Sequence, residues 1–511
     1  MEVQIQTRKL IKPSSPTPLH LRELKLSCFD QIAPPAFGSF IFFFKAPING
    51  HQTLKKLESS LSDVLTKFYP FAGRFIQDRN AIDCNDQGAE YLEARVSVSL
   101  NQFILEELDV KLVNLLVPYP NELVFTPTIL AVQINEFDCG GLAIGTSFSH
   151  KFADGFTIFG FMNGWATCCR IGVDAVKCLS FETESLLPDG FKPTYKMPVP
   201  DDNLDTLITK RFIFTASTIA ALKAKVGVGQ FSRAQLLIAL IWKVRISMAK
   251  KKDSLQIFPY NFRGKTALPI PSNGAGNLFI NILVRFTAND DKNPDLLHLV
   301  NLVGNELRNA AETFGKAETA EDLFLSATNS SREIHETLSK GDTEICILTS
   351  LSKFPYYEAD FGWGMPGWIA SVHKDVEMVL LMDTRFDGGV EAWVTLEPDN
   401  MWAARLDAGL LLERAWGLLL LLLACCAWAA GCWAAAGPSA VGLLLRLAQS
   451  TALPPPGATA DGGVVVLSSS SCSSGGGVTV AVRQRWLQEE VAVEQSWPRE
   501  AAGAGLLVAA I

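Results

Sequence analysis

The chain has 511 residues, 48% hydrophobic and 19% charged, enough material for a large core and for two or three domains. Its net charge of −8 excludes a general nucleic-acid binder, which would present a basic surface, and fits a mildly acidic enzyme or binding protein. The 11 cysteines are odd in number and scattered, without a Cys-x-x-Cys pair or zinc-like spacing, so we expect reduced thiols in a cytoplasmic protein.

The opening "MEVQIQTRKLIKPSSPTP" lacks the apolar run of a secretory signal. "GSFIFFFKAP" predicts a buried strand, being short, aromatic and β-branched. Leu54, Leu57, Leu61, Val64 and Leu65 recur at helical spacing, and that helix should end near Tyr69-Pro70. "LAVQINEFDCGGLAIGTSFSH" predicts two strands joined across Cys139-Gly140-Gly141, with His150 at or just past the end of the second. Residues 156–170 predict an apolar helix after it. The Pro- and Asp-rich stretch 187–203 has no period and reads as a crossover between two halves. The second half resumes with a strand at "KRFIF" and a helix at "STIAALKAKV". A further helix follows at "SRAQLLIALIWKV", capped by the Ser232 hydroxyl.

Beyond Leu411 the character changes. Residues 415–445 carry no charge and are long and apolar enough to pass for a transmembrane helix, and "PPPGATADGG" and "SSSSCSSGGG" after them are of low complexity. No lysine follows Lys374. The tail reads either as a membrane anchor or as sequence that does not belong to the fold, such as read-through of GC-rich codons. The chain thus divides into an N-terminal half (1–190), a crossover (191–210), a C-terminal half (211–411) and an atypical tail (412–511).

The chemistry concentrates in "SFSHKFADGF", which places His150 four residues before Asp154, with Gly155 next. One reading is a structural histidine at the end of a buried strand. The other is a base: an imidazole with an ordinary pKa of about 6.5 can take a proton at physiological pH. A metal site lacks a third ligand at sensible spacing. The second cluster is "DFGWG", Asp360 to Gly364, in which two glycines flank one large ring.

Together, and in this order, "SHKFADGF" and "DFGWG" resemble the two signatures of the plant BAHD acyl-CoA-dependent acyltransferases. "LIKPSSPTP", "FYPFAGR", "DCNDQGAEYLEARV", "GNLF" and "LLMDTRFDGGVEAWVTLE" also look like family segments, the early ones most like the vinorine synthase-like branch. The resemblance covers about residues 5–411, and "MWAARLDAGLLLE" fits the family's closing helix. It implies an α/β fold of the chloramphenicol acetyltransferase-like type, with two mixed-sheet halves of similar size and a channel between them. It also implies acyl-CoA as co-substrate, acetyl-CoA above all, an alcohol acceptor from plant specialised metabolism, no bound cofactor or metal, and a monomer. An amine acceptor, or a non-catalytic or membrane-tethered protein on the same fold, is the alternative.

By the same resemblance His150 is the general base. Asp154 turns away to an ion pair with Arg263 that fixes the catalytic loop, although a His-Asp dyad is sterically conceivable. Gly155 is read as easing a tight turn after the loop. Asp360, Gly362, Trp363 and Gly364 support the CoA side of the site, or simply form a buried turn. Ser232 matches a position near the pantetheine arm, with a simple helix cap as the alternative, and Arg74 holds the fold.

Overall fold

The computed structural model describes residues 1–34, 36–45, 50–105, 110–120, 126–182, 207–227, 231–248, 253–287, 294–372, 376–398 and 401, together with the backbone of 465–469, 477–486 and 489–498. The stretch 187–203, the segment 402–411 and the uncharged run 415–445 lie outside the described residues.

The strands of the two large sheets are, in chain order, β1 Val3–Ile11, β2 Phe37–Phe44, β3 Ala89–Val96, β4 Leu130–Phe137, β5 Leu142–Ser149, β6 Ile208–Phe214, β7 Asp253–Asn261, β8 Phe279–Thr287, β9 Thr343–Ser350, β10 Trp368–Ser371, β11 Met378–Asp383 and β12 Val390–Leu396. The helices that matter below are α1 Cys28–Ile32, α2 Gly50–Lys67, α3 Gly155–Ile171, α4 Ala216–Val226, α5 Arg233–Met248, α6 Leu296–Gly315 and α7 Ala320–Lys340.

Six strands form each sheet. The first runs β1-β3-β4-β5-β2-β10 and the second β8-β7-β9-β11-β12-β6. Both are mixed: β3 and β4 pair in parallel within an otherwise antiparallel first sheet, and β7-β9-β11 are parallel in the second. The continuous apolar run of β2 is explained by burial of both faces, since Phe40 through Phe44 are all at most 6% exposed. The short strand β10 departs from the sequence reading. It comes late in the chain yet pairs with β2 of the first sheet, Trp368 opposite Phe43.

Helix α3 is apolar nearly all round and buries Phe159, Phe161, Met162 and Trp165. An amphipathic helix lies on a surface; one that is apolar on every side is enclosed. Here α2 packs along it, and the indole N–H of Trp165 donates to Ser60 Oγ of α2 at 3.1 Å. Residues Met1–Arg405 form one compact unit and Leu406–Ile511 another. In the second unit the described backbone is a three-stranded antiparallel meander, Val465–Ser469, Gly477–Trp486 and Glu489–Pro498. The sequence reading assigned no strands there, although "VTVAV" and "VAV" alternate in the strand period. Among the described residues no helix is long and apolar enough to cross a membrane. Seven described cysteines, Cys168 and Cys169 included, carry free thiols.

Candidate active site

The ladder between β5 and β2 ends with Ser149 opposite Phe37. His150 is the next residue. Its N–H donates to Ala36 O at 2.8 Å, so the half-buried histidine is carried one step past the sheet with its backbone still held. Two contacts reach it from the other half of the chain. Asn277 Nδ2 donates to the His150 carbonyl at 2.8 Å, and the ring of Phe279, the first residue of β8, stands edge-on to the imidazole at 6.3 Å.

The chain then reverses tightly. The N–H groups of Phe152 and Ala153 both donate to Ser149 O, and α3 begins at Gly155. Asp154 caps that helix: its Oδ1 accepts from Thr157 N at 3.0 Å and from Thr157 Oγ1 at 2.9 Å. The same carboxylate meets Arg263 in a two-pronged pair, Nη1 to Oδ2 at 2.7 Å and Nη2 to Oδ1 at 3.1 Å. Both residues are buried, Asp154 7% and Arg263 6% exposed. A buried ion pair holds only when its remaining donors and acceptors are also met. They are here. Arg263 Nε donates to Gly274 O and Nη2 to Gly276 O, both at 2.7 Å, and the guanidinium lies over the Phe156 ring at 4.5 Å.

The segment joining Arg263 to β8 is gripped at three successive amides. Gly276 N donates to Thr157 Oγ1, Asn277 N to Asp30 Oδ1, and Leu278 N to Asp154 Oδ2. Asp30 was not singled out from the sequence. The signal was present in "SCFD", a Ser-x-x-Asp capping pattern, and Ser27 and Asp30 do form a reciprocal capping box at the start of α1. Burial raises the Asp30 carboxyl from its ordinary 3.8 to about 6, with bonds from Ser27 and Asn277 opposing the rise. Burial also lowers the neighbouring Lys151 ammonium, whose Nζ donates to Gln31 O at 3.0 Å.

Gly155 requires a correction. Its backbone is not in the left-handed region, so ease of turning is not the reason for a glycine. A Cβ there would come within 2.8 Å of Leu351 Cδ2 and 3.2 Å of Phe354 Cε2. The residue is small because the segment after β9 passes directly over the helix start.

The "DFGWG" loop lies at the other end of α3. Asp360 Oδ1 accepts from the N–H groups of Gly362 at 2.8 Å and Gly364 at 3.0 Å, and Arg170 Nη1 lies 3.9 Å from Asp360 Oδ2. Both glycines have φ of +105°, a conformation other residues resist. Trp363 stacks on Phe361, which meets Trp165 of α3 edge-on at 5.1 Å. At 1.5 Å per residue, roughly 24 Å of helix separates this loop from the Asp154 cap. The structure therefore brings His150, Asp154, Gly155 and Arg263 together and sets Asp360, Gly362, Trp363 and Gly364 apart. Ser232 is exposed and caps α5, its Oγ accepting from Gln235 N at 3.1 Å. Arg74 Nη1 donates to Gly73 O and Gly88 O, and burial lowers its pKa. Among the described residues no group of three or more His, Cys, Asp or Glu is placed to hold a metal ion.

The site can be compared with known proteins. The model of the Transferase family matches residues 1–408. Acetyl-CoA-benzylalcohol acetyltransferase of Clarkia breweri is 35% identical over 404 residues, 75% of this chain and 92% of that enzyme. Vinorine synthase of Rauvolfia serpentina is 34% identical over 425 residues, 77% of this chain and 94% of that enzyme. The crystal structure of vinorine synthase superimposes with a TM-score of 0.68 at 30% identity, covering 79% of this chain and 96% of that one. The F. sporotrichioides TRI101 structure with coenzyme A and T-2 has a TM-score of 0.57 at 16% identity over 75% of this chain and 97% of that one, a likeness of fold.

Proposed function

Since the chain belongs to the Transferase family and is an acyl-CoA-dependent acyltransferase of the BAHD type, we propose that it moves an acetyl group from acetyl-CoA to a hydroxyl of a plant alkaloid or terpenoid, with His150 as general base. The observation that carries this reading is the setting of His150. It stands at the end of β5, anchored to Ala36 from one half of the chain and to Asn277 from the other, beside a loop locked by the Asp154–Arg263 pair.

The chemistry follows from that setting. The imidazole takes the hydroxyl proton as the oxygen attacks the thioester carbonyl. The tetrahedral intermediate collapses with loss of the coenzyme A thiolate, which receives the proton back from His150. No acyl-enzyme is needed, because attacker and thioester react directly. Asp154 acts in this reading as a loop anchor. Its carboxylate is committed to Arg263, Thr157 and Leu278.

Relatives support the choice of donor and acceptor. They carry the names acetyl-CoA-benzylalcohol acetyltransferase, stemmadenine O-acetyltransferase of Catharanthus roseus and limonoid 1-O-acetyltransferase of Citrus sinensis. We read the protein as a cytoplasmic monomer, with the transferase in residues 1–411 and no part for residues 412–511. The match of the family model to residues 1–408 and the separate compactness of Met1–Arg405 support that division. The test is mass detection of acetylated products when the purified protein meets acetyl-CoA and a panel of alkaloid, terpenoid and benzylic alcohols. Acetyl transfer to at least one alcohol is expected. Transfer confined to amines, or none at all, would overturn the reading.

A further inference from the structure

Asp30 is an expensive residue for its place. It is 3% exposed, and among the described residues no cation lies within ion-pair distance of it. Its four donors are neutral: Ser27 N at 3.1 Å, Ser27 Oγ at 2.7 Å, Asn277 N at 2.7 Å and Asn277 Nδ2 at 2.9 Å. A buried carboxylate without a cation costs stability, and departures of that kind gather at functional sites.

What the charge does is visible in Asn277, which is 1% exposed. Its Nδ2 donates both to Asp30 Oδ1 and to the His150 carbonyl at 2.8 Å. With two hydrogens facing two acceptors, the carboxamide has one orientation. An ionised carboxylate can only accept, so it keeps both the side-chain and main-chain N–H of Asn277 turned toward it, through bonds stronger than neutral ones. Gly276 permits the approach. It has φ of +108°, and a Cβ there would lie 3.3 Å from both Asp30 oxygens. Phe279, two residues after Asn277, stands against the imidazole. Two titratable groups feel Asp30 from nearby: the Lys151 ammonium beside the histidine, and the Cys28 thiol on α1, which burial first and then Asp30 push up to about 12 and so keep neutral.

From this chain of contacts we propose that Asp30, acting through the carboxamide of Asn277, is a positioning residue that fixes where His150 sits during transfer. The proposal rests on the reading of His150 as base. It adds a second anchor to that reading: Asp154 holds the helix side of the histidine loop, and Asp30 holds its carbonyl.

Three full-length variants test it, His150→Ala, Asn277→Ala and Asp30→Asn, each assayed with acetyl-CoA and benzyl alcohol, the alcohol named for a relative, by release of coenzyme A thiol. Imidazole signals are followed in parallel by NMR. Only six histidines are present, and the signal lost in His150→Ala assigns the one that matters. We expect Asn277→Ala and Asp30→Asn each to lower kcat about 10- to 100-fold with KM for acetyl-CoA within about threefold, the range of a misplaced general base. The His150 signal should shift or broaden in both, while Asp30→Asn melts no lower than the parent at pH 7.5. A variant that loses activity by melting is separated by that last measurement. An unchanged His150 signal in both variants overturns the positioning role, whether or not the alcohol is accepted. Full turnover in His150→Ala would instead remove the base reading and leave the tether as a finding about the loop.

Discussion

Helix α3 carries one signature motif at each end, and the two ends are built differently. At its start, Asp154 and Arg263 are both buried and joined by two short bonds, and every further polar atom of the guanidinium finds a main-chain or side-chain partner. At its finish, Arg170 is 47% exposed and stands 3.9 Å from Asp360, whose carboxylate is occupied with the amides of Gly362 and Gly364. The first end ties two sheets together around a histidine. The second shapes one loop. Two motifs equally prominent in the sequence thus differ in what they would cost to break, because burial decides how much an ion pair matters.

The largest effect is expected at His150 itself. Replacement by alanine should lower turnover about 10²- to 10⁴-fold, the contribution of a general base, while leaving the melting temperature unchanged. Steady-state kinetics with acetyl-CoA and differential scanning fluorimetry decide it. Comparable turnover by the folded variant would mean that the buried end of α3 is architecture alone. Next comes the pair. Arg263→Ala strands a buried carboxylate, and such a loss costs about 3–5 kcal/mol. Asp154→Asn should cost less, since the amide oxygen can still cap the helix. Because both remove one interaction, the double variant should be little worse than Arg263→Ala alone. Additive losses in urea unfolding would show that the two residues act separately.

The same contrast marks what one sequence can tell. Local rules placed β4, the Cys139-Gly140-Gly141 turn, β5 and α3, because each depends on neighbours within a few residues. The Ser232 cap was legible for the same reason. The Asp154–Arg263 pair joins positions 109 apart and was reached only through resemblance to a family. Asp30 and Asn277 are 247 apart, and no periodicity or composition links them. Strand β10 belongs to the same class, since nothing in "WIAS" names Phe40–Phe43 as its partner. Gly155 shows a subtler gap. The glycine was read as easing a turn, but the reason for it lies in Leu351 and Phe354, residues that only the fold brings near.

Asp30 sharpens the comparison from a third side, because among the described residues it is a buried acid with no cation in ion-pair contact, such as Asp154 has in Arg263. Its carboxyl is raised from 3.8 to about 6, with burial as the leading cause. The folded protein therefore binds this proton more tightly than the unfolded chain. The cost of ionising Asp30 is absent below about pH 4, grows as pH rises toward 6, and is fully present above it. At 1.36 kcal/mol per pKa unit the difference is on the order of 3 kcal/mol. Relative to the parent, Asp30→Asn should thus gain stability between pH 4.5 and pH 7.5. Urea midpoints at the two pH values check the sign. A relative loss over that interval would mean that the carboxylate is stabilised in the folded state.

The smallest effect is expected at Arg170. An exposed pair at 3.9 Å gains little Coulomb energy in water and must hold a long side chain in place, so its contribution falls at about 0–1 kcal/mol. Arg170→Ala should shift the melting temperature by a degree or two at most and leave turnover within about twofold. Asp360→Ala should do more, because two amides of a loop held at φ of +105° lose their acceptor. That ordering, Asp360 above Arg170, follows from hydrogen bonds to the main chain and owes nothing to charge. Salt provides the check. At 0.5 M NaCl, where screening acts within about 4–5 Å, any effect of Arg170→Ala should fade and that of Asp360→Ala should persist. If Arg170→Ala were instead as damaging as Arg263→Ala and indifferent to salt, the two ends of α3 would be alike, and the "DFGWG" loop would be coupled to His150 through the helix.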